Sequence, residues 1–370
     1  MAGDNSTGFV GNYQNATTQG ATFSDSGWLI VAAMESFINY AVIGIGIFGT
    51  AANALVLYAL IVHNAREIKK RTVNWLIINQ NLLDLCSCLF AVICLSIRVS
   101  DIYLTGALGY ILCGIFINEN ATLCFLNGSV INLVTITVER YLKVVYPFWS
   151  KKHIKSWMIK AAIVFAWIAG ILSIGPIGFI TSLVSEGKCL IFELYWKIPE
   201  IKMGYGIYNF VSFFLLPLII FVYCYGHIVV VMRRQMRVMA GHNVEGSAQS
   251  ASQAQNRRIK WNIIKTMIIV TAVFTVCWFP LNTYYMAVEN MWESSKLVTG
   301  YLFTLFLPYV NICLNPFIYA TKHDGVRRIL ARMIICRKRD DVAAAAAAAA
   351  GTSGKTDRAV AMATKKMNPN

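Results

Sequence analysis

Asn132-Leu-Val-Thr-Ile-Thr-Val-Glu139-Arg140-Tyr141-Leu-Lys-Val-Val-Tyr-Pro147-Phe148 closes a long apolar run with a carboxylate and a guanidinium side by side. Seven residues beyond the arginine comes Pro147, followed by an aromatic side chain. The run that ends here, 108–142, exceeds the roughly 20 residues a helix needs to cross a hydrocarbon core of about 30 Å. Charges at the last turn of such a helix are costly to bury and easy to switch.

The same pattern repeats along the chain. Of 370 residues, 57% are hydrophobic and 14% charged, against about a quarter charged in soluble domains; the mean hydropathy is +0.55. Seven spans are expected, at about 33–62, 73–98, 108–142, 157–184, 205–232, 262–288 and 298–320. They are too long, and too poor in internal charge, for the alternating strands of a membrane barrel. The fold class is an all-α integral membrane protein, a seven-transmembrane helix bundle. Only Arg98, Lys188, Lys197, Lys202 and Lys296 fall on one side, and the other 28 of the 33 basic residues fall on the opposite side. The positive-inside rule then puts the N-terminus outside and the C-terminus in the cytoplasm. The formal charge of +15 is a basic rim facing anionic membrane lipids, and no nucleic acid is needed to explain it.

Residues 1–32 are polar and expected to be a disordered extracellular segment, with Asn5 and Asn15 in N-glycosylation sequences. No cleavable leader is read there, so the first span is expected to insert itself. Gly44, Gly46 and Gly49 imitate a dinucleotide fingerprint but lie within a membrane helix, where small residues serve packing. Asn53 is a mid-membrane amide expected to bond to another helix. Asp84 is the one carboxylate read as deep within a span, an expensive position that is functional by default. Asn120 and Asn127 also sit in glycosylation sequences; the second is rejected as lying inside the helix. Prolines 217, 280 and 316 interrupt the fifth, sixth and seventh spans and should bend them. Residues 321–336 have an amphipathic pattern suited to the inner membrane surface, beside Cys336, a candidate for palmitoylation. Residues 337–370, including the alanine run 343–350, form a disordered, low-complexity cytoplasmic tail. Of the ten cysteines, only Cys113 and Cys189 lie on the oxidising face, where a bridge would tie the outward loop to the third span.

Taken in order, Asn53, Asn79 to Asp84, Glu139-Arg140-Tyr141 with Pro147, Trp167, Pro217 with Tyr225, Cys277-Trp278-Phe279-Pro280 and Asn315-Pro316-Phe-Ile-Tyr319 resemble the rhodopsin-like (class A) G-protein-coupled receptors. The resemblance covers about 33–335. It implies a receptor in the plasma membrane that binds an extracellular ligand and drives nucleotide exchange on a heterotrimeric G protein, and it does not imply an enzyme. It further implies a sodium site at Asp84, Ser129, Asn311 and Asn315. It implies an activation switch of Glu139, Arg140, Tyr141, Tyr225, Pro316 and Tyr319, coupled to Trp278 and Pro280 through Val130, Pro217 and Phe274. Arg140, Pro147 and Phe148 are then the G-protein contacts.

The chain departs from that pattern in two places. The family's outer cysteine usually lies two residues closer to the arginine than Cys113 does, so either the upper third span bulges or the cysteine sits in a loop. Where some members carry an acid on the sixth span to lock Arg140, this chain has Lys260, which implies basal activity. Tyr309 stands where opsins need a lysine, so no retinal is expected, and no other cofactor. Thr122 stands where amine receptors carry an acid, with Glu119 one turn higher, so amine binding stays open but disfavoured. Thr122, Asn282, Tyr285 and Tyr309 are the candidate pocket residues. The acidic outward segments, Glu35, Glu119, Glu186 and others, suit a basic peptide, and a neuropeptide-like ligand is the preferred reading. A transporter or channel is the rival from another class; it predicts several ionisable residues along a path or an internal repeat, and neither is seen.

Overall fold

In lipid an unpaired backbone N–H or C=O costs several kcal/mol, so each apolar run closes its hydrogen bonds within itself as a helix. The computed structural model describes residues 25–66, 71–100, 102–190, 199–240, 248–287, 295–322 and 326–333. Helix α1, Asp25–Arg66, is the first span and α2, Arg71–Val99, the second. The third span has two parts, α3, Gly106–Leu112, and α4, Asn120–Val145, separated by a π-helical turn at Cys113–Ile117. A short helix α5, Pro147–His153, follows on the cytoplasmic side, then α6, Ser156–Thr181, the fourth span. Strands β1, Leu183–Ser185, and β2, Lys188–Leu190, pair antiparallel with Val184 opposite Cys189. The fifth span is α7, Pro199–Asn209, a π-turn at Phe210–Leu215, and α8, Leu216–Ala240; α9, Ala248–Ala287, and α10, Ser295–Lys322, are the sixth and seventh. Helix α11 covers 326–333.

Among the described residues six helices are long and apolar enough to cross a membrane, and the seventh span contributes the shorter apolar stretch Leu302–Ile318. The first helix corrects the expected disordered boundary at 32: it begins at Asp25. Val31, ahead of that boundary, is already fully buried. The fourth span ends at Thr181 rather than 184, where Ser182 turns extended and opens the hairpin. On α11, Val326 and Ile329 are buried while Arg327, Arg328 and Arg332 are exposed, the two faces expected of it.

Close helix approach is set by small residues. A Cβ at Gly170 of the fourth span would lie 2.5 Å from the Cys124 carbonyl and 2.8 Å from the Gly128 nitrogen of the third. Gly46 lets the first span approach Val92, and Gly49 lies against the thiols of Cys88 and Cys313, whereas Gly44 faces open space. Asn53 donates to Ile312 O at 3.3 Å and to Cys88 Sγ at 3.7 Å, bonding the first span to the seventh and second as expected. A buried amide chain ties the second, third and fourth spans: Trp167 Nε1 donates to Asn79 Oδ1 (2.8 Å), Asn79 Nδ2 to Asn132 Oδ1 (2.9 Å), and Asn132 Nδ2 to Gln80 Oε1 (2.8 Å). In hydrocarbon such amides have no water to fall back on, so the pairings fix helix register.

Candidate functional site, from the outer cavity to the cytoplasmic switch

At the outer end Cys113 is bonded to Cys189, with the two Cα atoms 5.4 Å apart. The bridge pins the hairpin to the π-turn. The wide turn is visible in Asn118 N donating to Cys113 O, five residues back, at 3.0 Å. Glu119 then adopts the left-handed backbone conformation, φ 54°, which is uncommon for a non-glycine residue. The upper third span therefore bulges, the first of the two alternatives for its extra residues.

The bulge turns Glu119 inward. Glu119 Oε1 pairs with Arg98 Nη1 of the second span at 2.6 Å, and Tyr309 of the seventh span donates its hydroxyl to Oε2. Arg98 also donates from Nε and Nη2 to the Ile117 carbonyl, at 3.1 and 2.6 Å. All three side chains line a cavity of about 210 Å³ together with Glu35, Leu123, Asn282 and Trp278. Arg98, Glu119 and Glu35 were expected in the outward segments with Asp84 as the only deep acid; they are instead largely buried in the bundle. Thr122 is the converse error. It is fully buried, bonds Cys94 Sγ at 3.7 Å and does not line the cavity, because within the helix that resumes at Asn120 it faces the second span. Asn282 and Tyr309 line the cavity as expected. Asn120 is buried and donates to Gly175 O at 3.0 Å, and Asn127 donates to Ser173 Oγ at 3.0 Å, so neither side chain is presented for glycosylation.

Below this cavity Asp84 is completely buried. Its carboxylate accepts from Ser129 Oγ at 2.7 Å, Asn315 Nδ2 at 2.8 Å and Gln80 Nε2 at 3.3 Å. Gln80, which also donates to Ser129, was not singled out from sequence, although it lies four residues before Asp84 and so on the same helix face. A small cavity of about 10 Å³, room for about one water-sized centre, is lined by Gln80, Ser129, Asn311 and Asn315. The side-chain oxygens of Asn311 and Asn315 are buried without a hydrogen-bond partner. Asp84 thus meets Ser129 and Asn315 directly, Asn311 joins those two on the wall of the small cavity, and the two asparagines present unused acceptors.

Trp278 lines both cavities. Its ring stands 5.9 Å from Phe274, which meets Phe221 at 5.7 Å and Phe214 at 6.5 Å. Val130 is buried against this group. Pro217, also buried, lies just past the π-turn Phe210–Leu215; without an N–H and with a ring that crowds the preceding turn, it favours such widening. Pro280 lies inside α9, and Pro308 and Pro316 inside α10.

At the cytoplasmic end Arg140 Nε lies 3.4 Å from Glu139 Oε2, and both side chains are buried. The other carboxylate oxygen, Oε1, pairs with Lys143 one turn on, a partner not foreseen. Tyr225 bonds Thr137 Oγ1 at 2.9 Å rather than reaching Arg140, and Tyr141 bonds His227 Nδ1 at 3.1 Å. This is a restrained arrangement, with the guanidinium held by its neighbour. Pro147 starts α5, and Phe148 beside it is 90% exposed. Asn5, Asn15, Cys336, most of the polar N-terminal segment and the tail lie outside the described residues, as do the side chains of Lys260, Tyr285 and Tyr319.

Comparison with known proteins agrees with this geometry. The family described as "7 transmembrane receptor (rhodopsin family)" matches residues 52–319. The chain is similar to the somatostatin receptor type 4 of Rattus norvegicus, 29% identical over 56% of this chain and 51% of that protein. That match spans about half of the relative's length. It is also similar to the somatostatin receptor type 1 of Mus musculus, 26% identical over 93% of this chain and 81% of the relative. The galanin receptor type 1 of Homo sapiens is 25% identical over 90% of this chain and 92% of its own length.

Proposed function

Because the chain belongs to the rhodopsin family of seven-transmembrane receptors, we propose that it binds an extracellular ligand in the outer cavity and promotes nucleotide exchange on a cytoplasmic heterotrimeric G protein. The observation that carries the reading is that Trp278 forms part of the wall of both cavities. A ligand that moves this indole acts on the Phe274 cluster and on the polar cavity at once. Tilting the sixth span outward below Pro280 then opens the cytoplasmic end, and Arg140 leaves Glu139 for the partner. Phe148, apolar and exposed, serves as the plug on that partner. The ligand is a peptide: the similar receptors are named for somatostatin and galanin, and the outward segments are rich in acids. The family supports a place in the plasma membrane, and the distribution of lysine and arginine supports an outward N-terminus.

The polar cavity suits a small hard cation. Ser129, Asn311 and Asn315 line it, the amide oxygens of Asn311 and Asn315 are buried and unused, and Ser129 and Asn315 bond the carboxylate of Asp84. Bound sodium would offset the charge of Asp84. The protein's own part is to hold these groups from the second, third and seventh spans in one packing, so that occupancy and packing are linked.

Reconstituted receptor mixed with purified G protein tests the reading. Peptide-dependent nucleotide exchange is expected, with basal exchange above receptor-free membranes. Ion flux through the same membranes, with no exchange for any peptide or amine, would overturn it in favour of a conduit.

A further inference from the structure

The acid that faces the outer cavity is already in use. Glu119 holds Arg98 on one oxygen and Tyr309 on the other, so a ligand meets an occupied carboxylate. We infer that the outer cavity recognises a protonated nitrogen carried on an apolar body, and that this cation binds by replacing Arg98 on Glu119. This specifies the ligand chemistry of the receptor reading and rests on it.

Three observations favour an exchange of this sign. Arg98 does not depend on Glu119 alone, because its Nε and Nη2 both donate to Ile117 O. When Nη1 is displaced, the guanidinium keeps two hydrogen bonds and its place on the wall. A ligand anion would have the opposite effect: it would draw Arg98 away while sitting against Glu119, with the Glu35 carboxylate on the same cavity wall, and like charges at close range are repulsive. Leu123, Phe213, Trp278 and Leu281 give the cavity an apolar and aromatic stretch of wall among its amides, and that stretch accepts the body that carries the nitrogen.

The left-handed backbone at Glu119 fits this role. A non-glycine residue there is strained, and the surroundings hold the side chain in the cavity in spite of it. The exchange also has a route inward. Tyr309 ties the seventh span to Glu119, and it lies on the helix that carries Asn311 and Asn315. A cation on Glu119 therefore acts on the seventh span from above while the apolar body acts on Trp278. The shared chemistry, ammonium plus apolar group, is offered by a small arylalkylamine and by a basic residue of a peptide flanked by aromatics.

The test uses the full chain in nanodiscs and reads thermal unfolding, where a bound ligand raises the midpoint by mass action. The probes are phenethylammonium, the neutral 2-phenylethanol, the anion 3-phenylpropionate, and N-acetyl-Phe-Lys-Phe-amide. The two cations are expected to stabilise the receptor, the neutral and anionic probes are not, and the stronger cation identifies the source. Glu119→Gln should abolish the shift. Arg98→Gln removes the competitor and should tighten phenethylammonium binding about tenfold or more, the size of a close charge-pair coupling. If Glu119→Gln does not yield folded protein, the Arg98→Gln result decides alone. Equal stabilisation by 2-phenylethanol, a retained shift in Glu119→Gln, or weaker cation binding in Arg98→Gln overturns the inference. The readout needs no G protein. Lost cation selectivity with intact nucleotide exchange refutes only this inference, and lost exchange with intact cation binding refutes only the receptor reading.

Discussion

Neutralising Glu139 should raise signalling in the absence of ligand. In the structure Arg140 Nε lies 3.4 Å from Glu139 Oε2, with the two side chains 11% and 4% exposed. At that separation, and an effective dielectric of about 20, the direct attraction is about 5 kcal/mol. Desolvation of both groups cancels most of it, leaving a net preference for the restrained state of about 1–2 kcal/mol. That is a factor of about 5–30 in the equilibrium. A receptor that is about 1% active at rest would become roughly 5–25% active as Glu139→Gln. The assay is nucleotide exchange on purified G protein with wild-type and variant receptor at matched amounts in nanodiscs, without ligand. Glutamine keeps the shape and removes only the charge, so helix packing should survive. If Glu139→Gln shows wild-type basal exchange at equal receptor density, the ion pair is not the restraint and the switch lies elsewhere.

Lys143→Met should lower basal exchange several-fold, because Glu139 then has no cation left when Arg140 departs and the active state bears a buried unpaired carboxylate; adding it to Glu139→Gln should change nothing further. Arg140→Ala should impair ligand-driven exchange by more than tenfold while ligand affinity in the same preparation stays within a few-fold, since Arg140 lies at the opposite end of the bundle from the outer cavity. Asp84→Asn should make exchange insensitive to replacing sodium chloride by choline chloride, whereas wild type should show higher basal exchange in choline; equal sodium sensitivity in the two proteins would remove the cation from the polar cavity. Gly170→Ala should lower thermal stability by about 1–3 kcal/mol, because the added methyl meets the backbone of Cys124 and Gly128, and a thermal melt of solubilised receptor reads it.

Much of the switch was legible in sequence because its chemistry is rare in lipid. A carboxylate, an arginine beside a glutamate, and prolines and amides within apolar runs each stand out against leucine and valine, and their order along the chain adds a constraint that no single residue carries. Asp84 with Ser129 and Asn315, and Trp278 with Phe274, met as expected for that reason. The outer cavity was not legible in the same way. A π-turn at Cys113–Ile117 and a left-handed Glu119 have no composition of their own here, and position 119 is not even a glycine. A bulge or a loop could each absorb the extra residues, and nothing in their composition says which side chain turns inward, so Glu119 was read with the outward segments, as was Arg98. Gln80 and Lys143 are a different kind of omission. Each lies four residues from a partner already identified, Asp84 and Glu139, and helix periodicity alone could have named them. Lys143 was absorbed into the basic cytoplasmic rim, which explained its charge without asking what it touches.

The bulge above Asn120 has a consequence for how such a receptor can change over evolutionary time. Two residues added to an uninterrupted helix would turn everything beyond them by about 200° and advance it by about 3 Å. The disulfide would then be out of reach of its hairpin, or Arg140 out of reach of its partner. Here the surplus length is confined to seven residues, Cys113–Glu119, and the helix resumes at Asn120 with one unbroken hydrogen-bonded course down to Val145. The outer wall can thus be lengthened, shortened or re-aimed to suit a new ligand while the transducing half keeps its phase. Aligning this chain to a relative by counting back from Arg140 carries the correct partners as far up as Asn120 and the wrong ones above it. A receptor assembled this way can exchange its chemical input without retuning its output.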